Sequence, residues 1–161
     1  MTTRRSMLSF GLTGATAALV TRNAAAAEVC NSSASAVLDR YVAAMNAHDT
    51  SRFPEIFTDT YIQHSGRSLS GLAAQIELFK QIFATQPDVQ MQVDDRIISG
   101  DKVVARTTRS LTHTGTIRGF PPTGKRLGFR TIDIWRVENG KFAEHWDLTD
   151  AEEVLRQLRA D

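Results

Sequence analysis

GFPPTGKRLGFRTIDIWRVENGKFAEHWDLTD, residues Gly119 to Asp150, decides the fold. It reads as a loop, Gly119 to Gly124, and two alternating strands, Leu127 to Val137 and Phe142 to Thr149, joined by Glu138-Asn139-Gly140-Lys141. Asn-Gly between alternating apolar residues is the strongest short-range hairpin signal, because both central residues of a type I′ turn need positive φ. With Glu138 facing Lys141, Ile134 falls opposite His145 and Ile132 opposite Asp147. Side chains alternate along a strand. Ile132, Ile134, His145 and Asp147 are therefore expected on one face, and Thr131, Asp133, Trp135, Glu144 and Trp146 on the other. Ionisable groups among isoleucines are costly unless paired, neutralised or used, so this register points to a pocket. Asp133 is the rival acid, and it would line the pocket if the connection were one residue longer and one strand's facing were reversed. Trp135 and Trp146, on the opposite face, suit a dimer interface.

Working outward, Val37, Leu38, Tyr41, Val42 and Met45 recur at helical spacing and predict a helix over about Ala34 to Ala47. Leu72, Ile76, Phe79 and Phe83 predict a second over Ser70 to Ala84, ended by Gln86-Pro87-Asp88. Thr60 to His64 reads as a short extended segment. Val89 to Ser99 and Lys102 to His113 read as strands around Gly100-Asp101, and Ala151 to Arg159 as a closing amphipathic helix. Helices first and then a meander of long strands indicate an α+β domain, a curved antiparallel sheet wrapped by N-terminal helices around a cavity. Tyr41, Phe57, Phe79 and Phe83 are expected to supply core and apolar cavity wall.

Residues 1–27 read as a leader: Thr3-Arg4-Arg5-Ser6-Met7-Leu8-Ser9 is a twin-arginine export pattern, Met7 to Val20 a short apolar run, and Ala24 to Ala27 a small-residue cleavage site. Cleavage would leave residues 28–161 as one domain without a membrane span, exported to the periplasm or beyond. It would remove three arginines and no acid, taking the formal charge from +1 to −2. With no basic block left, nucleic acid is not an expected partner. Cys30 is the single cysteine, so no internal disulfide can form.

Ala44-Met45-Asn46-Ala47-His48-Asp49, Tyr61-Ile62-Gln63-His64, Pro87-Asp88-Val89, Thr112-His113-Thr114-Gly115, Gly119-Phe120-Pro121-Pro122-Thr123-Gly124 and Glu144-His145-Trp146-Asp147 together resemble the SnoaL-like polyketide cyclase family, over about Val37 to Leu158. The resemblance implies a nuclear transport factor 2-like fold, commonly dimeric, around a small-molecule pocket. It also implies aldol-type ring closure of polyketide esters by a carboxylate base without metal or organic cofactor, and the family aspartate aligns with Asp147.

Such chemistry needs a base near a carbon acid and a donor for the developing enolate oxygen. Asp147 is the candidate base, and His145, His64 and His113 are candidate donors or orienting groups. Ile132, Ile134 and Trp146, with Tyr41, Phe57, Phe79 and Phe83, are the candidate substrate contacts, the substrate being a small apolar carbonyl compound. The histidines and aspartates lack the close spacing of a metal motif, so no metal is expected. Gly66-Arg67-Ser68-Leu69-Ser70-Gly71 has no strand leading into its serines, which weakens a hydrolase reading. A non-catalytic ligand-binding or interaction domain of the same fold, and a double-bond isomerase using the same acid-base logic as ketosteroid isomerase, are the alternatives.

Overall fold

The computed structural model describes the backbone of residues 15–66 and 68–160, with side chains for residue 28 and from residue 32 onward. The twin-arginine pattern lies outside the described residues. Helix α1 (Ala15–Asn46) is followed by a 3₁₀ turn (Thr50–Glu55), β1 (Phe57–Gln63), α2 (Leu72–Thr85), β2 (Gln90–Ser99), β3 (Lys102–Thr112), β4 (Arg126–Glu138), β5 (Lys141–Thr149) and α3 (Ala151–Arg159). Among the described residues no helix is long and apolar enough to cross a membrane.

The sheet order is β1-β5-β4-β3-β2. Strands β2 to β5 form the expected antiparallel meander. Strand β1, however, joins β5 in parallel, so the sheet is mixed. Helix α1 lies against this sheet through Ala34, Val37, Leu38, Tyr41, Ala44 and Met45, all buried. Its C-terminal end is fixed by Asn46, which donates to Met91 O at 2.9 Å and accepts from Met91 N–H at 2.8 Å. Asp49 caps the 3₁₀ turn by accepting from Ser51 N–H.

Burial of aromatics dominates the main core. The Tyr41 ring meets Phe57, Phe79, Trp135 and Phe142 at centroid distances of 5.8, 6.3, 5.7 and 5.7 Å, all edge-on, the arrangement that ring quadrupoles favour. Val154 and Leu158 of α3 close a smaller cluster over Leu111 and Leu127.

The β4–β5 hairpin corrects the expected register. Its turn is as the sequence implies, with Asn139 and Gly140 at φ 51° and 73° and Glu138 opposite Lys141. After Val137↔Phe142, however, Arg136 pairs with Glu144 rather than Ala143. Ala143 is an extra residue in β5, a β-bulge, and Phe142 and Ala143 are consecutively buried. Beyond it every side chain of β5 changes sides relative to β4. Trp135 faces His145 and Asp133 faces Asp147.

The inner face therefore carries Thr131, Asp133, Trp135, His145 and Asp147, whereas Ile132 is an exposed residue of the outer face, as its position between buried neighbours requires. Ile134, paired with Trp146, shares that outer face. The expected grouping of Ile132 and Ile134 with His145 and Asp147 is overturned by this one inserted residue. Trp135, expected outside, is 1% exposed.

Candidate functional site

A cavity of about 290 Å³ opens between the inner face of the sheet and helices α1 and α2. That is the lower end of the small-molecule range. Its apolar wall includes Tyr41, Met45, Phe57, Phe79, Phe129 and Trp135. Four strands contribute polar groups to it, Gln63 of β1, Arg109 of β3, Thr131 and Asp133 of β4, and His145 and Asp147 of β5, and helix α2 adds Gln75.

Asp133 is the hub of these groups. His145 Nε2 donates to its Oδ1 at 3.0 Å, Arg109 Nη2 stands 3.9 Å from the same oxygen, and Thr131 Oγ1 donates to Oδ2. Thr107 Oγ1 is hydrogen-bonded to Thr131 Oγ1 at 2.6 Å. Burial pushes the Asp133 carboxyl up, but His145, Arg109 and Thr131 together outweigh it and hold the group below the usual carboxylate range. Asp133 is therefore an ionised acid with its lone pairs committed to protein donors.

His145 is held on three sides. Its ring stacks on Trp135 at 4.8 Å and 7°. Gln63 Nε2 lies 3.0 Å from Nδ1, and Ser65 N–H donates to Gln63 Oε1 at 3.3 Å, which sets the amide so that its nitrogen faces the imidazole. With Nδ1 accepting, the neutral ring carries its proton on Nε2, the atom that donates to Asp133.

Arg109 and Tyr41 form a second pair. A guanidinium can only donate, so Arg109 faces the Tyr41 oxygen as a donor and the Tyr41 proton is left for another acceptor. Burial pushes the Tyr41 hydroxyl up to about 12, with the Arg109 charge opposing, so it stays protonated at neutral pH. Burial opposes the charge on Arg109, but Tyr41 and Asp133 more than compensate and the guanidinium stays charged. Its Nε is buried with no partner among the described residues. Asp147, half-buried, lies on the cavity wall directly across the ladder from Asp133.

The cavity thus brings together Asp147, His145, Tyr41, Phe57 and Phe79 of the expected set, and the rival Asp133 with them. The other expected residues lie elsewhere. Ile132, Ile134 and Trp146 are on the outer face for the register reason given above. His64 also lies there, stacked on Trp146 at 4.4 Å and paired with Glu144 at 2.9 Å. Phe83 stacks on His48 at 4.7 Å instead of lining the cavity.

His113, expected near the pocket mouth as a donor, is fully buried, and its Nδ1 is hydrogen-bonded to Thr123 Oγ1 at 2.9 Å. Its carbonyl accepts from Thr123 and Gly124 N–H, so it fastens the Pro121-Pro122-Thr123-Gly124 loop. Arg109, Gln63, Thr131 and Tyr61 are cavity residues that the sequence did not single out. Among the described residues no three His, Cys, Asp or Glu side chains converge as metal ligands.

With this geometry in view, residues 35–158 match the SnoaL-like polyketide cyclase family, and the chain belongs to it. The mixed sheet with its helices is the nuclear transport factor 2-like fold of that family. TsrD from Streptomyces laurentii is 31% identical, with a TM-score of 0.74 over 81% of this chain and 97% of that one. AclR from Streptomyces galilaeus, assigned provisionally as a hydroxylase, is 27% identical, with a TM-score of 0.70 over 80% of this chain and 96% of that one. Nogalonic acid methyl ester cyclase of Streptomyces nogalater is 37% identical over 46 residues, which is 29% of this chain and 34% of that protein. The match therefore spans about a third of the cyclase's length.

Proposed function

We propose that this protein is a cofactor-independent cyclase that activates a carbon acid in a small apolar carbonyl compound, with Asp147 as the base. The observation that carries the reading is a carboxylate on the wall of a mainly apolar cavity that also holds a charged guanidinium and a protonated phenol. Asp147 removes the α-proton. The enolate oxygen accepts the Tyr41 O–H proton in a hydrogen bond and is stabilised by the Arg109 charge. The enolate carbon attacks a second carbonyl of the same molecule, one C–C bond forms, and the resulting alkoxide recovers the proton from Asp147. Asp133 and His145 are positioning residues: Asp133 holds Arg109 charged and in place, and His145 with Gln63 braces Asp133. The substrate named for the Streptomyces nogalater relative, an acid methyl ester, is of a chemical class that suits such a cavity. The test is whether the protein accelerates exchange of the acetyl hydrogens of methyl 6-acetyl-2-naphthoate for solvent deuterium.

The outer sheet face supports a homodimer. Ile97, Val104, Ile134 and Trp146 form one cross-strand row, with Ile132 and Leu148 paired beside it. Ile97, Ile132 and Leu148 are exposed, and Arg136 with Glu144 borders the row with both signs of charge. A second copy of the same face is the occupant such a mixed, self-complementary surface fits. Trp146→Glu is expected to shift the sedimentation coefficient to that of a monomer at micromolar concentration, and a wild-type monomer would remove the proposal. Export completes the reading: N-terminal sequencing of the secreted protein is expected to start at Glu28, and retention of residues 1–27 would contradict it.

A further inference from the structure

Ile117 to Phe120 make a second tight turn. Ile117 N–H donates to Phe120 O at 3.1 Å and Phe120 N–H to Ile117 O at 2.9 Å. The two central residues, Arg118 and Gly119, have φ of 50° and 84°. This is the same left-handed pair that Asn139 and Gly140 adopt in the β4–β5 hairpin. Asparagine suits the first of these positions because its short polar side chain tolerates the left-handed region, whereas a long side chain there is strained. Strain of this kind persists where the side chain serves a purpose.

The purpose follows from where Arg118 stands. Among the residues lining the cavity it is the exposed one, so it marks the mouth. Like Arg52 and Arg130 it has no ion-pair partner among the described residues, whereas Arg106, Arg126, Arg136 and Arg156 are each paired with a carboxylate; of the three, Arg118 is the one on the cavity wall. The turn also stands on a fixed base. Thr114 Oγ1 donates to Thr85 O at 2.9 Å, and a Cβ on Gly115 would come within 2.9 Å of Thr85 Cβ, so the loop is pressed against the end of α2.

The interior sets two carboxylates, Asp133 and Asp147, against the single guanidinium of Arg109, so it can carry the transient charge of an enolate but disfavours a ligand's permanent carboxylate. Asp133 is already satisfied by Arg109 and His145, and Asp147 adds a second carboxylate to the wall. A negatively charged group on a ligand would keep to the mouth, where a guanidinium offers a planar fork that matches a carboxylate.

The geometry points to Arg118 as a specificity residue that binds an anionic group, such as a carboxylate, at the far end of the substrate and so directs the carbonyl end inward to Asp147. This deepens the proposed function and rests on the cavity being the substrate site.

The test uses the full chain and two neutral-core probes, 6-acetyl-2-naphthoate and its methyl ester, by calorimetric titration alongside acetyl deuterium exchange. The wild type is expected to bind the acid about tenfold more tightly than the ester, a preference that shrinks as salt screens it. Arg118→Asn, which the turn accommodates better, should bring the acid-to-ester ratio close to one without lowering Tm, and Arg118→Lys should restore part of the preference. Equal binding of acid and ester by the wild type, or a preference that survives Arg118→Asn, overturns this inference while leaving the cavity reading intact. Absence of both binding and exchange for the two probes overturns the cavity reading, and this inference with it.

Discussion

Replacing Asp133 with Asn should destabilise the folded protein by about 2 to 3 kcal/mol at pH 7, measured by urea unfolding. Breaking a buried ion pair from one side typically costs about 3 to 5 kcal/mol, because the remaining charge stays out of water without compensation. Here that charge is Arg109, which keeps 19% of its side chain exposed, so water offsets part of the loss. An amide oxygen can still accept from His145 Nε2 and the amide can still meet Thr131, which is why the change acts chiefly on Arg109 and, through it, on Tyr41. Unchanged stability would mean that Arg109 draws nothing from Asp133.

The same residue sets an acid limb to the stability curve. The folded-state pKa of Asp133 lies below its ordinary value, so its contribution is fully present above about pH 4, the unfolded carboxylate range, and is lost as pH falls through the folded value. Wild-type stability should decline on acidification below that point, and Asp133→Asn should flatten the decline.

Much of this architecture is legible in the chain because local rules and tertiary packing agree. Asn139-Gly140 needs positive φ and takes it, the stripe Val37, Leu38, Tyr41 and Met45 is buried on α1 as its spacing requires, and the meander follows from alternating strands. Two features were not legible, for different reasons. The bulge at Ala143 has no residue-type signature. Its visible trace is that Phe142 and Ala143, adjacent and both apolar, break the period of two, and weighing that break would have brought Asp133 and Trp135 to the inner face. Arg109 sits in a strand of Val, Ala, Thr and Arg where a cation ordinarily faces water. The carboxylate of Asp133, twenty-four residues away in sequence and one strand over, together with Tyr41 of α1, makes the inward orientation tolerable.

The family resemblance brought Asp147 forward as the base, yet it carries no register. Placing that side chain on the cavity wall depends on β5 being shifted by one residue against β4. His64 and His113 show the opposite lesson: both lie in the motif segments, but one is taken up by Glu144 and Trp146 outside and the other by Thr123 inside the loop.

Asp147→Asn should have the largest effect on chemistry. The amide is nearly isosteric and remains on a half-buried wall, so folding should be little affected, whereas removal of a positioned general base typically costs about 10²- to 10⁴-fold in rate. The most direct measurement is proton NMR of methyl 6-acetyl-2-naphthoate in deuterium oxide, following loss of the acetyl signal with wild-type protein and with Asp147→Asn. The wild type is expected to accelerate exchange and the variant to lose about 10³-fold of that acceleration, with an unchanged unfolding curve. Equal exchange rates with wild type and a folded Asp147→Asn variant would contradict it.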